Sequence, residues 1–150
     1  MTNDPGFELG NDGPSVILTA VDGSLTSLRA GAYAAGLARR QGAKLVVLTV
    51  TTTPSLSAMV PDAVTALTES AEALGREVQD EARRALARME IVGEFVHIRG
   101  DPYLEIVRTA DELRADAVVV GASTKAGHRL VGSLALRLVK AGKWPVTVVP

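Results

Sequence analysis

Cysteine is absent from the 150 residues, which excludes a disulfide scaffold, thiolate chemistry and a Cys-ligated zinc site. Aromatic residues make up only 3%, too few for the stacking platforms on which single-stranded nucleic acids are held. No apolar run approaches the roughly 20 residues of a membrane helix, and no basic-then-apolar leader opens the chain. A formal net charge of -1 offers no global attraction to nucleic acid or to an anionic membrane, so any basic site has to be local. There are two histidines, His97 in a strand-like stretch and His128 in a loop-like one, so a metal site has few partners to draw on. The expectation is a cytoplasmic protein with neither nucleic acid nor membrane as partner. One absence is uneven along the chain: no carboxylate follows Asp116, whereas Lys125, Arg129, Arg137, Lys140 and Lys143 all do.

What is present is alternation. Residues 1–14 carry Asn, Asp, Gly and Pro with scattered apolar residues, and read as a flexible tail ahead of one domain, 15–150. Within that domain, 15–21 reads as a buried strand, and Asp22-Gly23-Ser24 turns the chain into an Ala-rich helix over 25–41 with Ser24 as its cap. A second buried strand, 45–50, is followed by a proline- and hydroxyl-containing loop. The helix after it, about 62–89, spaces Leu67, Ala71, Leu74, Val78, Ala82, Ala85 and Met89 three or four apart, predicting one apolar face. Glu72 with Arg76, and Asp80 with Arg84, are spaced as ion pairs one turn apart on its wet side. Residues 94–98 mix polar with apolar positions, as an edge strand does, and Asp101-Pro102 then starts a helix running to about 114. Five strands alternating with four helices imply right-handed crossovers and an open, doubly wound parallel sheet.

The stretch 117–133, AVVVGASTKAGHRLVGS, organises the rest. An apolar strand runs into Gly121, a polar loop follows, and Gly132-Ser133 opens the next helix. Unpaired amides at a helix start favour an anion, and the basic, carboxylate-free surroundings reinforce that preference. In an open sheet of this kind a ligand sits at the carboxyl ends of the strands where their order reverses, which would set Asp22 opposite Gly121. Other nucleotide signatures are missing: there is no GxGxxG after the first strand, no GxxxxGK[ST], and no GxSxG elbow. Asp22 alone, without a second acid, also speaks against a phosphoacceptor receiver domain. Each candidate has a plainer structural reading as well. Asp22 can brace the first helix, Ser133 can cap the last, the glycines can serve turns, and Arg137 and Lys140 suit a helix C-terminus.

VILTAVDGSLTSLRA, KLVVLTV, GDPYLEIVRTADELRADAVVVGAS and WPVTVVP together resemble the universal stress protein family over 15–150. The resemblance implies a Rossmann-like α/β sheet of strand order 3-2-1-4-5 and a dimeric stress-response protein, some members of which bind ATP. It implies nucleotide contacts at Ala20, Val21 and Asp22, at the end of the second strand (Thr49 and Val50), and at Gly121, Thr124, Gly132 and Ser133. Lys125 and Arg129 are further candidate phosphate contacts, and magnesium is a candidate companion of ATP. The chain departs from the family's phosphate motif in two ways. Thr124 stands where a second glycine belongs, and seven residues rather than nine, 125–131, separate it from Gly132. Two residues span up to ~7 Å of contour, so the loop cannot follow the family's path around a triphosphate. A non-binding member acting through protein partners therefore stands as the alternative, and a slow ATPase lacks an evident base for the attacking water. The apolar closing strand, Val146–Val149, is the expected homodimer edge.

Overall fold

The computed structural model describes residues 13–52, 61–123 and 131–150. The tail expected at 1–14 therefore lies outside the described residues up to position 12, as do most of the loop after the second strand and Thr124, Lys125, His128 and Arg129. In chain order the elements are β1 (Val16–Ala20), α1 (Leu25–Gln41), β2 (Lys44–Thr51), α2 (Pro61–Arg88), β3 (Gly93–Arg99), α3 (Pro102–Glu112), β4 (Ala117–Gly121), α4 (Ser133–Ala141) and β5 (Val146–Val149). All four strand pairings are parallel and the order across the sheet is β3-β2-β1-β4-β5. This is the doubly wound α/β architecture expected from the alternation.

Strands β1, β2 and β4 are apolar on both faces because helices cover both. Ile17, Val47 and Val119 point into one layer, where they meet Ala30, Ala34, Ala35 and Ala38 of α1 and Val78 and Leu86 of α2. The alanines let α1 lie close to the sheet. Leu18, Val46 and Val118 point into the other layer against Ile106 of α3 and Leu138 of α4, all fully buried. Each such side chain contributes roughly 1.5–3 kcal/mol by leaving water. At the amino end of the sheet, the Asp116 carboxylate accepts the backbone N–H groups of Ser15 and Val16, both at 2.8 Å, and fixes where β1 begins.

Helix α2 departs from the sequence expectation. Leu67 and Leu74 are exposed (43% and 54%) and Met89 is at the surface, while the buried positions are Gly75, Val78, Gln79 and Leu86. The helix begins packing on the sheet only near its middle. The expected ion pairs give way to others: Glu72 joins Arg99 across to β3 at 2.9 Å, and Arg84 joins Glu81. Ser133 is not the cap of α4 either. Gly132 occupies that position and has no side chain to cap with, and Ser133 is the first helical residue.

Candidate functional site

Strand order reverses between β1 and β4, because β2 and β3 add on one side and β5 on the other. Past their carboxyl ends the two strands diverge to follow crossovers on opposite faces, and a crevice opens. Its volume is about 350 Å³, within the range of roughly 300–1,000 Å³ typical of small-molecule sites.

Ala20, Val21 and Asp22 leave β1 into this crevice, and Gly121 ends β4 on its other side. Val50 of β2 adds an apolar wall, and Gly132 and Ser133 contribute the start of α4. Seven positions from four separate parts of the chain are thus brought together. Thr49, the partner of Val50 in the sequence reading, is not among the lining residues. Alternation along β2 turns it into the opposite layer, where it is buried and its hydroxyl has no hydrogen-bond partner.

Asp22 is held rather than loose. Its Oδ1 accepts the Ser24 backbone N–H at 2.9 Å, and its own N–H donates to Ser27 Oγ at 3.2 Å. Burial pushes the carboxyl up, but hydrogen bonds from the Ser24 side chain and backbone and from Ser27 outweigh that and leave its pKa below the ordinary carboxylate value. The group is therefore an oriented anion at neutral pH, a strong acceptor for N–H or O–H donors of a ligand. Capping of α1 falls to Ser24, whose side chain accepts from Ser27 N–H, so Asp22 is not needed for that task.

The crevice is polar on the α1 side and apolar on the α3 side. Ser24, Thr26 and Ser27 border Asp22, whereas Pro102 and Ile106 of α3 join Val50. Neither α3 residue was nominated from sequence. The signal was available, because a right-handed crossover from β3 to β4 brings the start of α3, marked by Asp101-Pro102, to the carboxyl end of the sheet. At α4, the first backbone N–H groups have no intrahelical acceptor and receive no side-chain bond from the cap residue Gly132, and the residues that carry them, Ser133, Leu134 and Ala135, line the same space.

The two glycines also answer to packing. A Cβ on Gly121 would lie 2.5 Å from the Thr26 carbonyl carbon and 2.6 Å from Ser27 N, so only glycine lets β4 pass the first turn of α1. Thr26 Oγ1 seals that approach by donating to Ala122 O at 2.7 Å. A Cβ on Gly132 would lie 2.7 Å from Ser123 Cβ, so the two stems of the intervening loop touch. His97, the second histidine weighed for a metal site, lies elsewhere, bonded to Thr51 Oγ1 at 2.7 Å on the α2 side of the sheet.

Comparison with known proteins places this geometry among relatives. The model of the Universal stress protein family matches residues 15–150. A universal stress protein of Methanocaldococcus jannaschii is 30% identical over 138 residues, covering 89% of this chain and 80% of that protein. Among solved structures, a universal stress protein in complex with cAMP is 30% identical with a TM-score of 0.65, covering 93% of this chain and 99% of the other. The universal stress protein of Archaeoglobus fulgidus in complex with dAMP is 25% identical with a TM-score of 0.62, covering 89% and 96%. With the sheet order, the crevice and a family match across nearly its whole length in agreement, the chain belongs to the universal stress protein family.

Proposed function

We propose that this chain is a cytoplasmic, dimeric stress protein that binds an adenine nucleotide in the crevice between β1 and β4. The observation that carries the reading is the pairing, across one 350 Å³ space, of an oriented carboxylate with a helix start whose cap residue is the glycine Gly132. Asp22 accepts hydrogen bonds from the base or ribose, and Val50, Pro102 and Ile106 supply a flat apolar wall for the base. Ser133 and the first amides of α4 receive phosphate oxygens, with Gly121 and Gly132 keeping that approach free of side chains. Thr124, Lys125 and Arg129 belong to the same reading but lie outside the described residues. Two relatives at 25–30% identity carry cAMP and dAMP, which supports an adenine nucleotide as the ligand class. ATP is the larger candidate. Magnesium accompanying it would rest mainly on phosphate oxygens, since Asp22 is the one carboxylate among the described lining residues.

The competing reading, a member that works through protein partners without nucleotide, draws on a specific observation. Packing alone accounts for Gly121 and Gly132, and the loop between them is two residues short of the family's motif. Thermal unfolding separates the two. A nucleotide at 100 times its Kd adds about 2.7 kcal/mol, or roughly 5–10 °C in a chain of this size. A shift with AMP, or with ATP and magnesium, is expected. No shift with any adenine nucleotide at millimolar concentration would leave the partner-only reading.

The closing strand supports the dimer. β5 forms the sheet edge with its residues only partly buried. Beside it, Arg29 of α1 reaches Pro150 O at 3.4 Å. Leu25 and Tyr33, one turn either side of Arg29, are exposed at 62% and 45%. An open backbone edge flanked by apolar side chains suits a second copy of the chain.

A further inference from the structure

Arg137 has no carboxylate partner among the described residues; its guanidinium lies over the ring of Tyr103, 3.9 Å from the centroid. Neither is among the lining residues, but each adjoins one on its own helix. Tyr103 follows Pro102, and Arg137 lies one helical turn beyond Ser133, both of which line the crevice. Long side chains on a helix lean back towards its N-terminus, a direction that takes the Arg137 side chain towards the turn that begins at Ser133. The pair also links the start of α3 to the middle of α4, two helices whose first residues line the ligand space. A guanidinium held over a ring keeps the N–H donors of its own plane available and loses little freedom when an anion arrives.

We infer that Arg137, positioned by Tyr103, recognises the phosphate of the bound nucleotide and makes the crevice selective for nucleotides over nucleosides. The inference rests on the nucleotide reading of the same crevice and adds to it the residue that reads the charge. A cation placed by a ring rather than by a carboxylate keeps its full charge for the ligand, which an ion-paired arginine would not. At a helix start the amides supply direction for a phosphate, and Arg137 supplies the opposite charge that the described crevice otherwise lacks.

The test is the ratio of AMP to adenosine affinity, measured calorimetrically on the full chain. Arg137→Ala should weaken AMP roughly tenfold, the scale of one lost hydrogen bond to a charged group, and leave adenosine unchanged, which also verifies the fold. Tyr103→Phe preserves the stack and should keep the ratio, whereas Tyr103→Leu removes it and should lower the ratio by a smaller factor. An AMP-to-adenosine ratio unchanged in Arg137→Ala overturns the role of Arg137 while leaving the nucleotide site intact. Absence of binding of either compound to the unsubstituted protein overturns the nucleotide reading itself.

Discussion

At Gly121 two demands meet, the proposed ligand approach on one side and a helix on the other, and the second is plain in the structure. Alanine there would set a methyl group 2.5–2.7 Å from the backbone of Thr26 and Ser27, neither of which can step aside without moving α1. Gly121→Ala should cost about 1–3 kcal/mol, the range of overpacking in a close contact, read as a drop of several degrees in Tm without any ligand present. An unchanged Tm would return the glycine to a purely ligand-related role. Asp22 makes a different prediction. Its pKa is lowered in the fold, so the ionised form contributes stability above the ordinary carboxylate pKa, and that contribution disappears as pH falls through the still lower folded value. The stability difference between the native protein and Asp22→Asn should therefore be largest near pH 7 and shrink below about pH 4 in urea titrations. Asp22 was legible in the sequence because a lone acid after a buried strand has few other places to be. The cap of α4 was not: Ser133 is the better capping residue by chemistry, yet Gly132 takes the position, where a side chain would run into Ser123.

Helix α2 shows what periodicity can and cannot report. A three-four spacing of apolar residues establishes a helix with an apolar stripe, and the helix is there from Pro61 to Arg88. It does not establish that anything lies beneath the stripe. Gly75 instead marks where the sheet begins, because a Cβ at that position would meet His97 Nε2 at 2.7 Å and Thr51 Oγ1 at 3.1 Å. Residues earlier in the helix run beyond the ends of β2 and β3. Leu67→Ala and Leu74→Ala should each change stability by no more than about 0.5 kcal/mol, whereas Leu86→Ala, at a buried position, should cost about 2–5 kcal/mol. Comparable losses at all three would restore a fully packed helix. The ion pairs carry the same lesson. Spacing shows which charges can reach each other along a helix, while the register of β3 decided that Glu72 would meet Arg99.

For the molecule as a whole, alternation in the sequence was enough to give a parallel sheet, and the order β3-β2-β1-β4-β5 makes β5 an edge. Backbone hydrogen bonding then says which groups that edge presents. Val118 N–H donates to Pro145 O and Ala122 N–H to Val149 O, so alternate residues of β5 turn inward to β4 and leave Val146 and Val148 facing out. A two-fold related copy would pair antiparallel to these outward groups and bring Leu25 and Tyr33 of each protomer to the border of the contact. Val148→Asp should yield monomers by sedimentation or light scattering. Because the Val148 side chain also packs partly on the core, a charge there could act by loosening the strand, and Val148→Pro separates the effects. Proline places no charge at the position, is tolerated on an edge strand where the N–H faces outward, and removes that N–H. If the proposed dimer forms through β5, both substitutions dissociate it, and the proline variant retains the native far-ultraviolet circular dichroism and the AMP-induced thermal shift. A proline variant that remains dimeric would move the interface away from this strand.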